Sequence, residues 1–224
     1  LALVLFSSCT ITVKENKSTK LTGETVKVTR ACEPFDKITM SGGLDIKYIE
    51  DDSCYVEIEA DKALNAKVST EVTDGILNIA LLQTSFDGNI FETDDKAQDD
   101  RTFTFHGMKN AIDKTLDDDI KVIVHAPYLN EIQSHGAIDF EADKVKSQGE
   151  FYRRVSGKSD TKIKRLESRK VELSTSGLSD IEVGIYNADT VGIKSSGKSD
   201  LDINFQNCGT AHIQASGACD AELK

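Results

Sequence analysis

The chain has no tryptophan, two prolines and only 6% aromatic residues in 224. These scarcities leave little basis for an aromatic platform that stacks sugars, a proline-rich linker or a polyproline-binding groove. There is no CxxC and no Cys/His pair at zinc spacing, so a structural zinc site of that kind is not expected. Positive charge is the scarcer sign: 27 Lys and Arg face 38 Asp and Glu, for a net charge of −11. Such a chain is poorly suited to gripping a phosphate backbone, and nucleic acid is not an expected partner. What is present, 38% hydrophobic and 29% charged residues, fits a chain with a packed core rather than a disordered tail or a membrane bundle.

The first residues, Leu1 to Phe6, are apolar but far too few to span a bilayer. They read as the second half of a secretory signal peptide. Phe6-Ser7-Ser8-Cys9 resembles the lipobox of bacterial lipoproteins, in which the cysteine is lipidated and becomes the first mature residue. The competing reading is an edge strand with an incidental cysteine. On the lipobox reading, residues 1–9 end a truncated signal peptide, Cys9 is the lipidation site and residues 10–25 are a tether. A membrane is then a partner through the lipid anchor. Four further cysteines, Cys32, Cys54, Cys208 and Cys219, allow three disulfide pairings, among which the sequence does not choose.

The most informative feature is a repeat. Gly136, Gly157, Gly177, Gly197 and Gly217 each precede an aspartate by three residues: Asp139, Asp160, Asp180, Asp200 and Asp220. An earlier copy of the turn holds Gly42 in Ser41-Gly42-Gly43-Leu44-Asp45. Apolar residues alternate on both sides of the turn, as in Val171-x-Leu173-x-Thr175 and Ile181-x-Val183-x-Ile185. Period-two alternation marks half-buried strands. Two short strands per turn at constant spacing predict an all-β parallel β-helix with roughly 20-residue coils, each stacked on the next. An antiparallel meander would bury the same alternation but gives no reason for the constant spacing. Glycine suits a corner that needs positive φ, and the flanking Ser and Asp suit bonds to turn backbone.

The first half is less regular but also strand-like, at Val26–Val28, Ile46–Tyr48, Val56–Ile58, Val68–Val72 and Ile76–Leu81. One domain is expected over 26–224. It holds an acidic insertion loop at 84–118 and regular Ser-Gly-x-x-Asp repeats over 130–224, and a further coil begins at Asp220–Lys224 and is cut short.

Several segments together resemble the family described as putative auto-transporter adhesin, head GIN domain. They are Thr29 to Gly42, Leu44-Asp45-Ile46-Lys47-Tyr48, Val56-Glu57-Ile58-Glu59-Ala60-Asp61, Gly75-Ile76-Leu77-Asn78-Ile79, Ile120 to Ile132 and the Gly-x-x-Asp repeats. The resemblance covers roughly 26–82 and 118–224. It implies a right-handed β-helix-like fold in the bacterial cell envelope, often behind a lipoprotein signal. It implies no catalytic residues.

Gly192 to Ser199 fits the phosphate-loop pattern G-x-x-x-x-G-K-S, but a strand-like run follows it where that loop needs a helix. The same turn recurs at Gly157 and Gly177, so the match reads as one more repeat and no nucleotide is expected. The aspartates Asp139, Asp160, Asp180, Asp200 and Asp220 should stack in one corner row. Like charges at that spacing repel, and backbone donors, Lys158 and Lys198, or a calcium ion would offset this. The row is thus a candidate ligand or cation site, with no other cofactor or metal expected. Neighbouring carboxylates roughly 5–9 Å apart also suit glycoside chemistry, so a polysaccharide lyase or hydrolase is the alternative reading. Against it, a repeat offers identical sites where an enzyme needs a unique one, and His106, His125, His135 and His212 are scattered. Arg153, Arg154, Lys162, Lys164, Arg165, Arg169 and Lys170 read as a solvated basic face that would otherwise touch anionic lipid or glycan. The expected function is a non-catalytic, envelope-anchored binding or scaffold module, with a glycan or surface protein as partner.

Overall fold

In successive coils the strand-forming alternation meets glycine at the same point, and the structure shows what that produces. A computed structural model of the chain describes residues 22–81 and 120–224. The expected signal segment with Cys9, most of the tether, the acidic insertion and His106 lie outside the described residues. Five long strands build the solenoid: β7 (Glu131–Ala142), β9 (Glu150–Glu167), β10 (Lys170–Tyr186), β11 (Thr190–Gln206) and β12 (Thr210–Leu223). They stack in parallel on β2 (Lys37–Glu50) in the order β2, β7, β9, β10, β11, β12. The glycines are in register from Gly42 through Gly136, Gly157, Gly177 and Gly197 to Gly217. The pairing is parallel, which excludes a meander here.

Each coil is one continuous bent strand rather than two strands and a turn. At Gly177, φ is +124°, so the chain turns while the ladder to β11 runs on unbroken through the corner and that to β9 reaches Leu178 and resumes at Ile181. The inward sequence of β10 is Val171, Leu173 and Thr175 before the corner, then Ser179, Ile181, Val183 and Ile185 after it. Residues 176–178 all face out, so the alternation skips one inward place at the bend and resumes in the same phase. Each fully buried Val, Leu or Ile contributes about 1.5–3 kcal/mol, and the five in β10 are at most 1% exposed. At the far end of the coil the chain reverses through Asn187 and Asn207, at φ +58° and +56°. Asparagine tolerates this left-handed conformation, and Asn207 Nδ2 donates to Asn187 Oδ1 at 2.8 Å across coils.

The N-terminal end of the solenoid is finished differently. The edge of β2 splits: β5 (Ile76–Leu81) pairs with residues 37–41 and β6 (Lys121–Ala126) with residues 45–50. From there the sheet turns antiparallel. β4 (Val68–Thr73) pairs with β5, β3 (Tyr55–Asp61) with β6, and β1 (Thr25–Ala31) with β3. The strand-like segments of the first half are therefore strands, but most of them cap the solenoid instead of adding coils. A short helix, α1 (Lys62–Asn65), follows β3, with the Asp61 carboxylate accepting from Ala63 N–H at 2.8 Å as its N-cap. Strand β8 (Val145–Lys146) completes the set beside β9. At the other end, β12 has one neighbour, and Ile213 and Leu223, in inward positions, are 39% and 45% exposed.

Candidate functional site

Because Asp lies three residues after each corner glycine, it falls on the outward side of the second half of every coil. Asp45, Asp139 and Asp160 are in register on successive coils, as are Asp180, Asp200 and Asp220. Parallel neighbours are about 4.8 Å apart, so the carboxylates form the expected row. All five repeat aspartates are exposed.

The row lines one side of a groove of about 1000 Å³ that runs across the coils. The second side is the next outward column, which includes Lys47, Glu141, Lys162, Glu182, Asp202 and Glu222. Ten carboxylates and three lysines line the groove. The lysines lie at its N-terminal half, where Lys162 Nζ pairs with Glu182 at 2.7 Å. At the C-terminal half the charged lining residues, Asp180, Glu182, Asp200, Asp202, Asp220 and Glu222, are all acidic, and Lys224 pairs with Asp202 at 3.7 Å and Glu222 at 3.1 Å. Among the described residues, no group of three or more His, Cys, Asp or Glu side chains is placed to hold a metal ion. The carboxylates are arrayed in a line and do not converge on a point.

The three described histidines do not join the row. His135 precedes Gly136 on the other arm of the corner and bonds Ser156 Oγ through Nδ1 at 2.8 Å. His125 is buried in β6, stacked on Tyr55 at 4.0 Å, between Asp51 and Glu57 at 3.5 Å each. His212 lies on β12. The phosphate-loop match Gly192–Ser199 falls wholly inside β11, with no helix after it.

The expected basic face is corrected by the structure. Arg154 pairs with Glu131, Lys162 with Glu182, Lys164 with Asp143, Arg165 with Glu167, Arg169 with Asp189 and Lys170 with Glu150. Neighbouring coils supply most of the acids, so each of these six solvated cations stands beside a carboxylate among the described residues. Arg153 is not on the surface at all. It is 0% exposed, in the inward column shared by Ile132, Leu173 and Ile193. Its guanidinium donates to Thr161 Oγ1 at 2.8 and 3.1 Å, Arg154 O at 3.0 Å, and Ile132 O and Ser159 Oγ at 3.4 Å. All of these acceptors are neutral. Burial pulls its pKa down to about 9, which leaves it protonated at neutral pH. The alignment of repeats carried the signal for this: Arg153 occupies the place that Leu173 and Ile193 take in the next coils.

The family described as putative auto-transporter adhesin, head GIN domain, matches residues 34–224. No curated protein matches the chain. Among solved structures, a putative adhesin from Bacteroides fragilis is similar at 14% identity and TM-score 0.47, over 90% of this chain and 98% of that one. A putative lipid binding protein from Parabacteroides distasonis is similar at 15% identity and TM-score 0.45, over 92% and 98% of the two chains. A putative cell adhesion protein from Clostridium sporogenes is similar at 13% identity and TM-score 0.29, over 90% of this chain and 100% of that one.

Proposed function

The chain belongs to the putative auto-transporter adhesin, head GIN domain family, and from that premise we propose that it is a non-catalytic, adhesin-like binding module of the bacterial envelope. The observation that carries this reading is the groove along the aspartate row, which presents an exposed carboxylate at every coil. A periodic acidic face suits an extended partner with repeating polar groups, a glycan or a surface protein. Multiple weak contacts along such a face add up without any single rung being decisive. Lipidation at Cys9 would hold the module at a membrane, and calcium bridging between the carboxylates and a polar partner is the form in which the row would act as a cation site.

The test is a glycan and matrix-protein array probed with protein starting after Cys9, with and without calcium. A specific, saturable signal is expected. Asp180→Ala alone should change the affinity by less than about threefold, since each neighbouring rung repeats the contact. Neutralising Asp160, Asp180 and Asp200 together should lower it at least tenfold, about 1.4 kcal/mol. A blank array from folded protein would remove the binding reading and favour a structural spacer. Turnover of a polysaccharide, abolished by a change in one particular rung, would instead mark a carbohydrate-active enzyme.

A further inference from the structure

We propose that Cys32 and Cys54 form a disulfide that locks the outermost strand β1 to the cap of the solenoid. The two residues extend the β1–β3 ladder by one rung beyond Ala31↔Tyr55. Cys32 N–H donates to Cys54 O at 3.2 Å, which makes them a hydrogen-bonded antiparallel pair. Such a pair has its Cα atoms about 5.5 Å apart, with both side chains on one face of the sheet. That falls within the Cα range of disulfides, about 4.4–6.8 Å, and closing the bond draws the Cβ atoms of this pair in from about 5.5 Å to about 4 Å, a small shift at the end of the ladder. Both side chains are partly buried and pack against the hydrophobic core. The Cys32 thiol pKa is raised by burial and by the neighbouring Cys54.

The remaining cysteines have no such geometry with each other. Cys208 lies in the turn between β11 and β12, its thiol near Ile185 O, whereas Cys219 lies two residues past the Gly217 corner in register with Ser199. They sit at opposite ends of the bent coil, so of these four cysteines the fold sets only Cys32 and Cys54 side by side.

Closure is a thiol–disulfide exchange. The disulfide of an external oxidoreductase breaks, one bond forms between the Cys32 and Cys54 sulfurs, and the two electrons and two protons pass to the oxidoreductase as two thiols. The closed loop, residues 32–54, contains all of β2, the strand on which the solenoid is stacked. Strand β1 is exposed along most of its length and, among the described residues, pairs in the sheet with β3 alone. A pull from the N-terminal side opens its rungs from Thr25↔Asp61 towards Ala31↔Tyr55. The disulfide stops that opening before it reaches β2.

The experiment is peptide mapping of the full chain exported into an oxidising compartment, alkylated under denaturing conditions and digested with trypsin without reduction. The expected species is peptide 31–37 joined to peptide 48–62, separated by dithiothreitol, with Cys208 and Cys219 alkylated together in peptide 199–224. A second readout is the melting temperature with and without dithiothreitol. Reduction should lower it by about 5–10 °C in the wild type and in C208S/C219S, and by nothing in C32S/C54S. Alkylated Cys32 and Cys54, a link from either to another cysteine, or a melting temperature indifferent to reduction would each overturn the proposal. These outcomes do not depend on whether the groove binds a partner.

Discussion

Gly177→Ala is expected to lower the melting temperature by about 10–15 °C, from a loss of about 3–5 kcal/mol. Two independent costs meet at this position. Its φ of +124° is a conformation that a residue with a Cβ rarely adopts. An added Cβ would also lie 2.3 Å from Gly157 O and 3.0 Å from Gly157 N, both backbone atoms of the adjacent coil. No rotamer change relieves that contact, so the coils must separate or the corner must open, and either breaks ladder bonds. Gly75→Ala is the graded control. Its φ of +75° carries a backbone cost of the same kind, but its added Cβ meets only Asp36 Oδ1 at 3.7 Å, an ordinary contact. With no backbone clash the loss there should be less than half as large. Thermal melts followed by circular dichroism make the comparison. Equal, small losses at both positions would mean that the corner relaxes freely and that the glycine column is not a structural requirement.

Arg153 is expected to give opposite results with two substitutions. Arg153→Ala should cost about 3–5 kcal/mol, because it opens a cavity and takes the guanidinium donors from the buried Thr161 hydroxyl. The pair Arg153→Leu with Thr161→Ile instead copies the next coil, where Leu173 and Ile181 hold the same two columns. That double variant should be as stable as the wild type or more stable by about 1–3 kcal/mol. A buried charge facing only neutral acceptors recovers little of its desolvation cost, and a well-packed apolar replacement avoids it. Urea denaturation midpoints are the measurement. A double variant less stable by more than about 2 kcal/mol would show that the arginine network contributes net stability. The pH dependence has a definite sign. The folded-state pKa lies below that of the unfolded chain, so the unfolded chain binds more protons between the two values. The destabilisation by Arg153 is full below about pH 9 and fades as the pH rises beyond it. The gap between wild type and double variant should narrow accordingly in alkaline buffer.

The aspartate row was legible because it depends only on the repeat interval. Once the coils stack in register, residues at the same repeat position must share a column, and Asp139 to Asp220 do. The groove beside the row was not legible. It needs the adjacent outward column, where Lys47, Glu141, Lys162, Glu182, Asp202 and Glu222 share no residue type that marks them as a set. The basic residues misled for a related reason. Read along the chain they cluster, but their partners lie on neighbouring coils, as Lys162 with Glu182 and Arg169 with Asp189 show.

The sequence by itself determined the parallel stack of bent coils, the glycine corner and the division into inward and outward columns. Those follow from local physics repeated at a constant interval: strand alternation, positive φ at glycine, and apolar faces that only a neighbouring coil can cover. The tertiary structure alone decided the rest. It split the edge of β2 between β5 and β6 and set Cys32 opposite Cys54. Both join segments that share no repeat. Nothing local encodes such a contact, and only the global packing of cap on solenoid selects it.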